Sequence, residues 1–362
     1  MPASVSWVFI QWLPLSDSMK DPWQDRVFER WERNLQHKET TEGGLGSIQG
    51  EVPSMDVPFV DVQPFLDDLD GLERHVVDSF GSDWRKRPLL LKGLWNATDL
   101  ASPTRRISLQ GLQQETKLVI PYFSNATDPS ALSPDAKGTV ADIVRNMTNG
   151  HPHKIGSQWY IQTYPERIAE VAPVELVTKL FGNFFTPDKL QSRFLVVPAM
   201  TTVPMFVAHT KPLFRNDNEN DDPPHPHPSK QQTLFTNLHC EPIGNVAVQL
   251  HGSKQWTLVQ PEHSTLLRPA MSKDGRAFVY AGVDQMAYGR VPTYQVVTRP
   301  GDGLWVPTWT WHRVDYVSDE EEVALAASLF HFRPLAYVIN NPLLALSTIP
   351  AIVKELLGLQ TQ

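Results

Sequence analysis

Two stretches decide the fold: TNLHCEPIGNVAVQLHGSKQWTLVQP at Thr236–Pro261 and PGDGLWVPTWTWHRV at Pro300–Val314. In the first, an apolar run ends at His239-Cys240-Glu241. A second run, Asn245–Leu250, then reaches His251-Gly252-Ser253, which reads as a hairpin turn into Gln255–Val259. In the second, Pro300-Gly301-Asp302-Gly303 reads as a turn before an apolar strand that leads on to His312. On an extended chain, residues i and i+2 share a face, so the His239 imidazole and the Glu241 carboxylate can converge on one point. A barrel can bring the strand carrying His312 beside them. Two imidazoles and one carboxylate on one side of an octahedron form a facial triad, which holds Fe(II) and leaves three adjacent positions open.

Outward from these stretches the strand-like pattern continues. Short runs at Phe194–Val197, Thr202–Ala208, Thr233–His239, Ala277–Tyr280, Gln295–Thr298, Gly303–Val306 and Val323–Phe332 predict a sandwich or barrel. Upstream, Leu66–Phe80 reads as an amphipathic helix that leads into a buried strand within Arg87–Gly93. Trp159–Thr163 reads as a strand and Glu166–Phe181 as a helix. Pro22–Lys38 is helix-like, Glu39–Pro53 is a linker, and the acidic, proline-rich Arg215–Lys230 is a loop. Asn341–Leu357 is an apolar helix or helix pair, able to cover the barrel or to pair with a second copy as a homodimer.

Composition limits the function classes. The chain has 362 residues, 41% hydrophobic, which is enough for a sizeable core. The net charge of −8 argues against binding nucleic acid or anionic membranes through global charge. One cysteine, Cys240, excludes an intramolecular disulfide framework and a thiolate-rich metal site. The 31 prolines favour strands and loops over long helical bundles. No run reaches the ~18 apolar residues of a membrane span. An intracellular location, cytoplasm or nucleus, is the favoured expectation, with the apolar Val5–Leu15 stretch also compatible with the secretory pathway.

Together the two motifs resemble the JmjC/cupin-8 family of Fe(II)- and 2-oxoglutarate-dependent oxygenases. RPLLLKGLW at Arg87–Trp95 is similar to the usual opening of that domain. The resemblance covers about Val57 to Pro334. It implies a mainly β fold with added helices, a double-stranded β-helix (jelly-roll) core at about 194–334 inside an oxygenase domain at 57–334. An N-terminal extension (1–56) and a C-terminal helical segment (335–362) flank that domain. It places the metal ligands, which are also the catalytic residues, at His239, Glu241 and His312. Lys254 matches the family lysine that grips the distal carboxylate of 2-oxoglutarate, a role suited to a charge-assisted bond. Thr236 matches a hydroxyl that shares this carboxylate, and Asn245, Ser328 and Tyr160 match co-substrate pocket positions. The implied activity converts 2-oxoglutarate and dioxygen to succinate and CO2 while hydroxylating a protein or other macromolecule, modified RNA included. Glu241 departs from the aspartate of many hydroxylases in this group. N-methyl-lysine demethylation therefore stands as an alternative, as does a metal-binding cupin without 2-oxoglutarate turnover.

Other residues carry blander expectations. Cys240, between two ligands, should point away from the metal. Trp305, Trp309 and Trp311 can line a substrate groove or the core. Arg105-Arg106 reads as a solvated basic cluster.

Overall fold

The computed structural model describes residues 54–126, 133–182, 201–210, 235–272, 277–282, 291–317 and 323–356, together with Arg26. The expectations for Phe194–Val197, Glu39–Pro53, Arg215–Lys230 and, Arg26 apart, Pro22–Lys38 fall outside these residues.

Before the motifs, the chain forms β1 (Ser54–Asp56), β2 (Phe59–Asp61), β3 (Leu89–Lys92), β4 (Val119–Tyr122), β5 (Ala136–Thr139) and β6 (Lys154–Ser157). Then come β7 (Thr201–Thr202), β8 (Met205–His209), β9 (His239–Cys240), β10 (Ile243–His251), β11 (Ser253–Val259) and β12 (Pro269–Met271). The last strands are β13 (Val279–Ala281), β14 (Thr293–Thr298), β15 (Gly303–Val306), β16 (Trp311–Val317) and β17 (Val323–Phe332). They form a seven-stranded sheet, β1-β14-β11-β16-β9-β13-β12, an eight-stranded sheet, β2-β3-β15-β10-β17-β8-β6 with β7 beside β17, and a separate pair, β4-β5. This is the jelly-roll core expected from the motifs. Strands from before residue 194 complete both sheets, because β1 adds in parallel to β14, β2 pairs in parallel with β3, and β6 pairs with β8.

The turn chemistry explains the register. Gly252 joins β10 to β11 at φ +61, and a Cβ there would lie 2.8 Å from the Val323 carbonyl oxygen. Gly301 sits at φ +95, with its Cβ direction 2.3 Å from the Trp95 carbonyl oxygen, so this turn packs directly on the opening strand segment. Alternation then sorts the side chains. Ala247, Leu304, Val306 and Ala324 of the larger sheet meet Trp256, Leu258, Val314 and Tyr316 of the smaller one in the barrel interior. The other face of the larger sheet, with Val246, Val248 and Leu329, packs under the N-terminal helices in a separate cluster.

These helices are α1 (Leu69–Phe80), α2 (Ala97–Leu100), α3 (Leu109–Leu112), α4 (Val140–Thr148), α5 (Trp159–Thr163), α6 (Ile168–Val171) and α7 (Val174–Phe181). α1 starts at Asp68, whose side chain accepts a bond from the Gly71 amide at 2.8 Å. Trp159–Thr163 is thus a helix and not the expected strand: Tyr160 and Ile161, adjacent in sequence, are both buried, which a two-sided strand beside solvent does not provide. The expected single helix over Glu166–Phe181 is divided, since Ala172 before Pro173 is extended and the helix restarts at Val174. Pro204 likewise separates β7 from β8 within the expected Thr202–Ala208 strand.

The C-terminal residues form the helix pair α8 (Pro334–Asn340) and α9 (Pro342–Leu356). It covers the outer face of the smaller sheet, where Tyr337 and Leu344 pack with Cys240, Trp309 and Trp311. No helix among the described residues is long and apolar enough to cross a membrane.

Candidate metal centre

β9 and β16 lie side by side with His239 directly opposite His312, and Glu241 follows β9. One ligand atom from each of His239, Glu241 and His312 falls within 4.8 Å of the other two. The imidazole centroids are 4.3 Å apart, and His239 Nε2 lies 3.8 Å from a Glu241 carboxylate oxygen. Two chain segments distant in sequence, one carrying His239 and Glu241 and the other His312, therefore meet at one end of the barrel.

Local backbone contacts set the ligand atoms. His239 Nδ1 lies 2.7 Å from the Asn237 carbonyl oxygen, and His312 Nδ1 lies 3.1 Å from that of Thr310. A carbonyl only accepts, so each Nδ1 carries its proton and each Nε2 keeps a lone pair for a metal. Burial pushes His312 down to about 4, so it stays neutral at physiological pH. The Glu241 carbonyl accepts from the Trp309 amide at 3.0 Å, which ties the two ligand loops together. Trp309 itself is left-handed at φ 67, an uncommon conformation for a bulky residue. It is held by complete burial and by its indole N–H donating to the Tyr337 carbonyl of α8 at 2.9 Å. The α8–α9 pair thus braces the turn that presents His312.

The donor set of two neutral imidazoles and one carboxylate suits a divalent first-row metal and is the combination of a non-haem Fe(II) site. Cys240 is buried on the opposite side of β9, and its burial raises the thiol well above its usual range, so it stays an uncharged core residue.

Further into the barrel, Lys254 is 3% exposed on β11, beside Tyr316 on β16. Its ammonium stands 5.0 Å from the Tyr316 ring and 5.4 Å from that of Phe206. Burial, with the charge of Lys154, pushes Lys254 down to about 7. Thr236 bridges toward β16: its hydroxyl oxygen accepts from the Val314 amide at 2.9 Å and its own proton remains available to donate. Asn245 and Ser328 are buried on neighbouring interior strands, and the Asn245 side-chain oxygen has no hydrogen-bond partner. His239, Glu241, His312, Thr236, Lys254, Asn245 and Ser328 thus share the barrel's two inner walls.

Tyr160 stands apart from this group, against the expectation that it lines the pocket. It belongs to α5, packs in the outer cluster and accepts a hydrogen bond from Arg167, which pairs with Glu115 at 3.6 Å. Trp305, Trp309 and Trp311 are all core residues and line no groove. Arg105 is 8% exposed and stacks on Trp95, so it is not a solvated residue as expected. Sequence reading missed Lys154, the inner residue of β6. Its signal was the period-2 row His153-Lys154-Ile155-Gly156-Ser157, too short and too polar to stand out.

Comparison with known proteins agrees with this architecture. A model of the cupin-like domain matches residues 86–334. A curated relative, the HSPB1-associated protein 1 homolog of Danio rerio, is 32% identical over 95 residues, which are 24% of this chain and 21% of that protein. The match thus takes in about one fifth of that relative's length. With the domain model spanning most of the chain and the jelly-roll core in place, this protein belongs to the JmjC-type cupin-like family.

Proposed function

We propose that this protein is an Fe(II)- and 2-oxoglutarate-dependent dioxygenase that hydroxylates a protein or other macromolecular substrate. The observation that carries the proposal is the convergence of His239, Glu241 and His312 on the same inner walls as Lys254. When bound, the ferrous ion supplies the oxygen chemistry that couples decarboxylation of 2-oxoglutarate to succinate with insertion of oxygen into a C–H bond. The chain's own residues provide binding, orientation and dryness. The two Nε2 atoms and the Glu241 carboxylate would hold the metal. Lys254 donates a charge-assisted bond to the distal carboxylate, and the Thr236 hydroxyl donates to the same group. Asn245 offers an unsatisfied side-chain oxygen toward the interior. Trp256, with its ring 6.1 Å from that of His312, helps to exclude water between the metal and Lys254.

Access supports a large substrate. His239 is half-buried, the adjacent Asn237 is exposed, and the Tyr280 ring lies 5.8 Å from His239. A side chain presented by another macromolecule can reach the metal from this end. Exposed Leu335, Val338 and Ile339 on α8 and Leu346 on α9 further support a homodimer through the C-terminal helices. Light scattering checks that part: a monomer with these residues intact removes it.

The test of the activity is succinate formation from 2-oxoglutarate by purified protein with iron and ascorbate. Wild type is expected to turn over slowly without substrate, Glu241→Ala to fall to background, and Lys254→Ala to need more 2-oxoglutarate. Equal turnover by all three proteins removes the assignment.

A further inference from the structure

Among the described residues two lysines, and not one, face the interior of the barrel. On β6, Lys154 pairs directly with Ala208 of β8, which in turn pairs with Ala324 of β17. Paired residues in adjacent strands share a face, and Ala208 and Ala324 belong to the interior cluster with Trp256 and Tyr316. Tyr316 is the direct neighbour of Lys254 on the opposite sheet. The two ammonium groups therefore enter the same part of the interior from opposing walls, with Phe206 between β6 and Lys254: its strand partner is Gly156, and its ring lies 5.4 Å from the Lys254 ammonium.

Among the described residues neither lysine has an anion. Lys154 makes a cation–π contact to Phe123 at 5.6 Å, and Lys254 makes its contacts to Phe206 and Tyr316. Among the described residues no carboxylate stands near enough to hold either proton. Burial pushes Lys154 down to about 8, and the facing charge of Lys154 helps to push Lys254 lower. Two like charges in an apolar enclosure repel each other and are poorly solvated, an arrangement that an entering anion relieves. Tyr316 is the other titratable group facing Lys254, and burial raises it, so it remains a neutral phenol that offers no counter-charge.

We propose that Lys154 is a second cationic contact for the distal carboxylate of the dicarboxylate co-substrate, opposite Lys254. This inference rests on the dioxygenase reading above. It makes Lys154 a determinant of co-substrate specificity: two opposed ammonium groups reward a ligand with a charged far end and penalise an uncharged one of the same length.

The experiment measures binding with Mn(II) in place of iron, so that no turnover occurs. Calorimetric titrations of 2-oxoglutarate and of 2-oxopentanoate, which has the same chain length but no distal carboxylate, are compared in wild type and Lys154→Met. Wild type is expected to prefer 2-oxoglutarate strongly. Lys154→Met is expected to weaken 2-oxoglutarate roughly tenfold or more while leaving 2-oxopentanoate unchanged or tighter, because one charge-assisted bond is lost. Its ligand-free melting midpoint should equal or exceed that of wild type, since a buried charge has been removed. Lys154→Gln serves the same comparison where the methionine variant fails to fold. If wild type binds 2-oxoglutarate and the variant binds it equally well, or if both ligands weaken together, the role of Lys154 is overturned and the dioxygenase reading stands. If wild type binds no 2-oxoglutarate, both fall.

Discussion

The two ends of the barrel interior are built on opposite terms. At the metal end every ligand is held by the chain itself: carbonyls of Asn237 and Thr310 fix the two imidazoles, and the Trp309 amide fixes the backbone of Glu241. At the inner end Lys254 is buried and Lys154 half-buried beside aromatic rings, with no acidic partner among the described residues. The first end is preorganised and waits only for a cation. The second is electrostatically incomplete and becomes complete when a carboxylate arrives. A ligand with a chelating end and an anionic end satisfies both, which is why the contrast itself points to a dicarboxylate.

Removing a metal ligand should break this contrast most severely. Glu241→Ala leaves two imidazoles and no counter-charge. Metal affinity is expected to fall by more than the ~10–100-fold that loss of an outer partner costs. Titration with Mn(II) followed by calorimetry checks this, and retention of near wild-type affinity would show that Glu241 is not a ligand. The effect at the inner end should be smaller. Lys254→Ala is expected to raise the dissociation constant for 2-oxoglutarate by roughly 10- to 100-fold, the equivalent of one charged hydrogen bond, and to leave the affinity for Mn(II) unchanged. A loss of metal affinity in this variant would mean that the two ends are not independent.

Acidity gives a third way to sharpen the comparison. Lys254 is pushed to about 7 and Lys154 to about 8, both below the ordinary 10.5 that they regain on unfolding. Between about 7 and 10.5 the unfolded chain therefore binds more protons than the folded one, so the contribution of these groups to stability rises with pH across that window. Below it both states are protonated, and the folded protein carries two charges held away from full hydration. Ligand-free melting midpoints should thus contain a component that increases from pH 6 to pH 9 and that flattens in a Lys154→Met, Lys254→Met double variant. Stabilisation by 2-oxoglutarate should run the other way, strongest at the lower pH, because the anion binds the charged lysines. Identical pH profiles in wild type and the double variant would show that these groups are not desolvated.

The metal end was legible in the sequence and Lys154 at the inner end was not, for a physical reason. His239 and Glu241 are two apart in sequence, and the Gly301 turn, the β15 strand and His312 follow each other in order, so local spacing carried the information. The hairpin at Gly252 placed Lys254 on a strand, and its role came from the family resemblance. Lys154 lies on a four-residue strand next to a glycine, and its inward direction depends on pairing with β8, which alternation in so short a run does not reveal. Tyr160 failed in the opposite sense: the resemblance implied a pocket position and Trp159–Thr163 read as a strand, but packing of both Tyr160 and Ile161 into the outer cluster favours a helical turn. The break before Pro173 and the roles of the three tryptophans were likewise tertiary outcomes.

The smallest expected effect concerns what braces the metal end from outside. Trp309 can hold φ 67 only because its surroundings fix it, and one fixing contact is the Tyr337 carbonyl on α8. Tyr337 is in turn locked to α9, its hydroxyl donating to the Ala345 carbonyl at 2.6 Å and lying 3.0 Å from the Thr348 hydroxyl. Tyr337→Phe keeps the ring and the carbonyl but removes both hydroxyl contacts. A buried hydrogen bond of this kind contributes about 1 kcal/mol, so chemical denaturation should show a loss of that order. If the α8–α9 pair acts on the His312 turn, Mn(II) should also bind a few-fold more weakly, whereas 2-oxopentanoate and 2-oxoglutarate should keep their ratio of affinities. A stability loss with metal affinity intact would mean that the C-terminal helices cover the sheet without positioning the ligand. A changed ratio would mean that the brace reaches through β16 to Tyr316 and the lysine end, and the independence of the two ends would have to be given up.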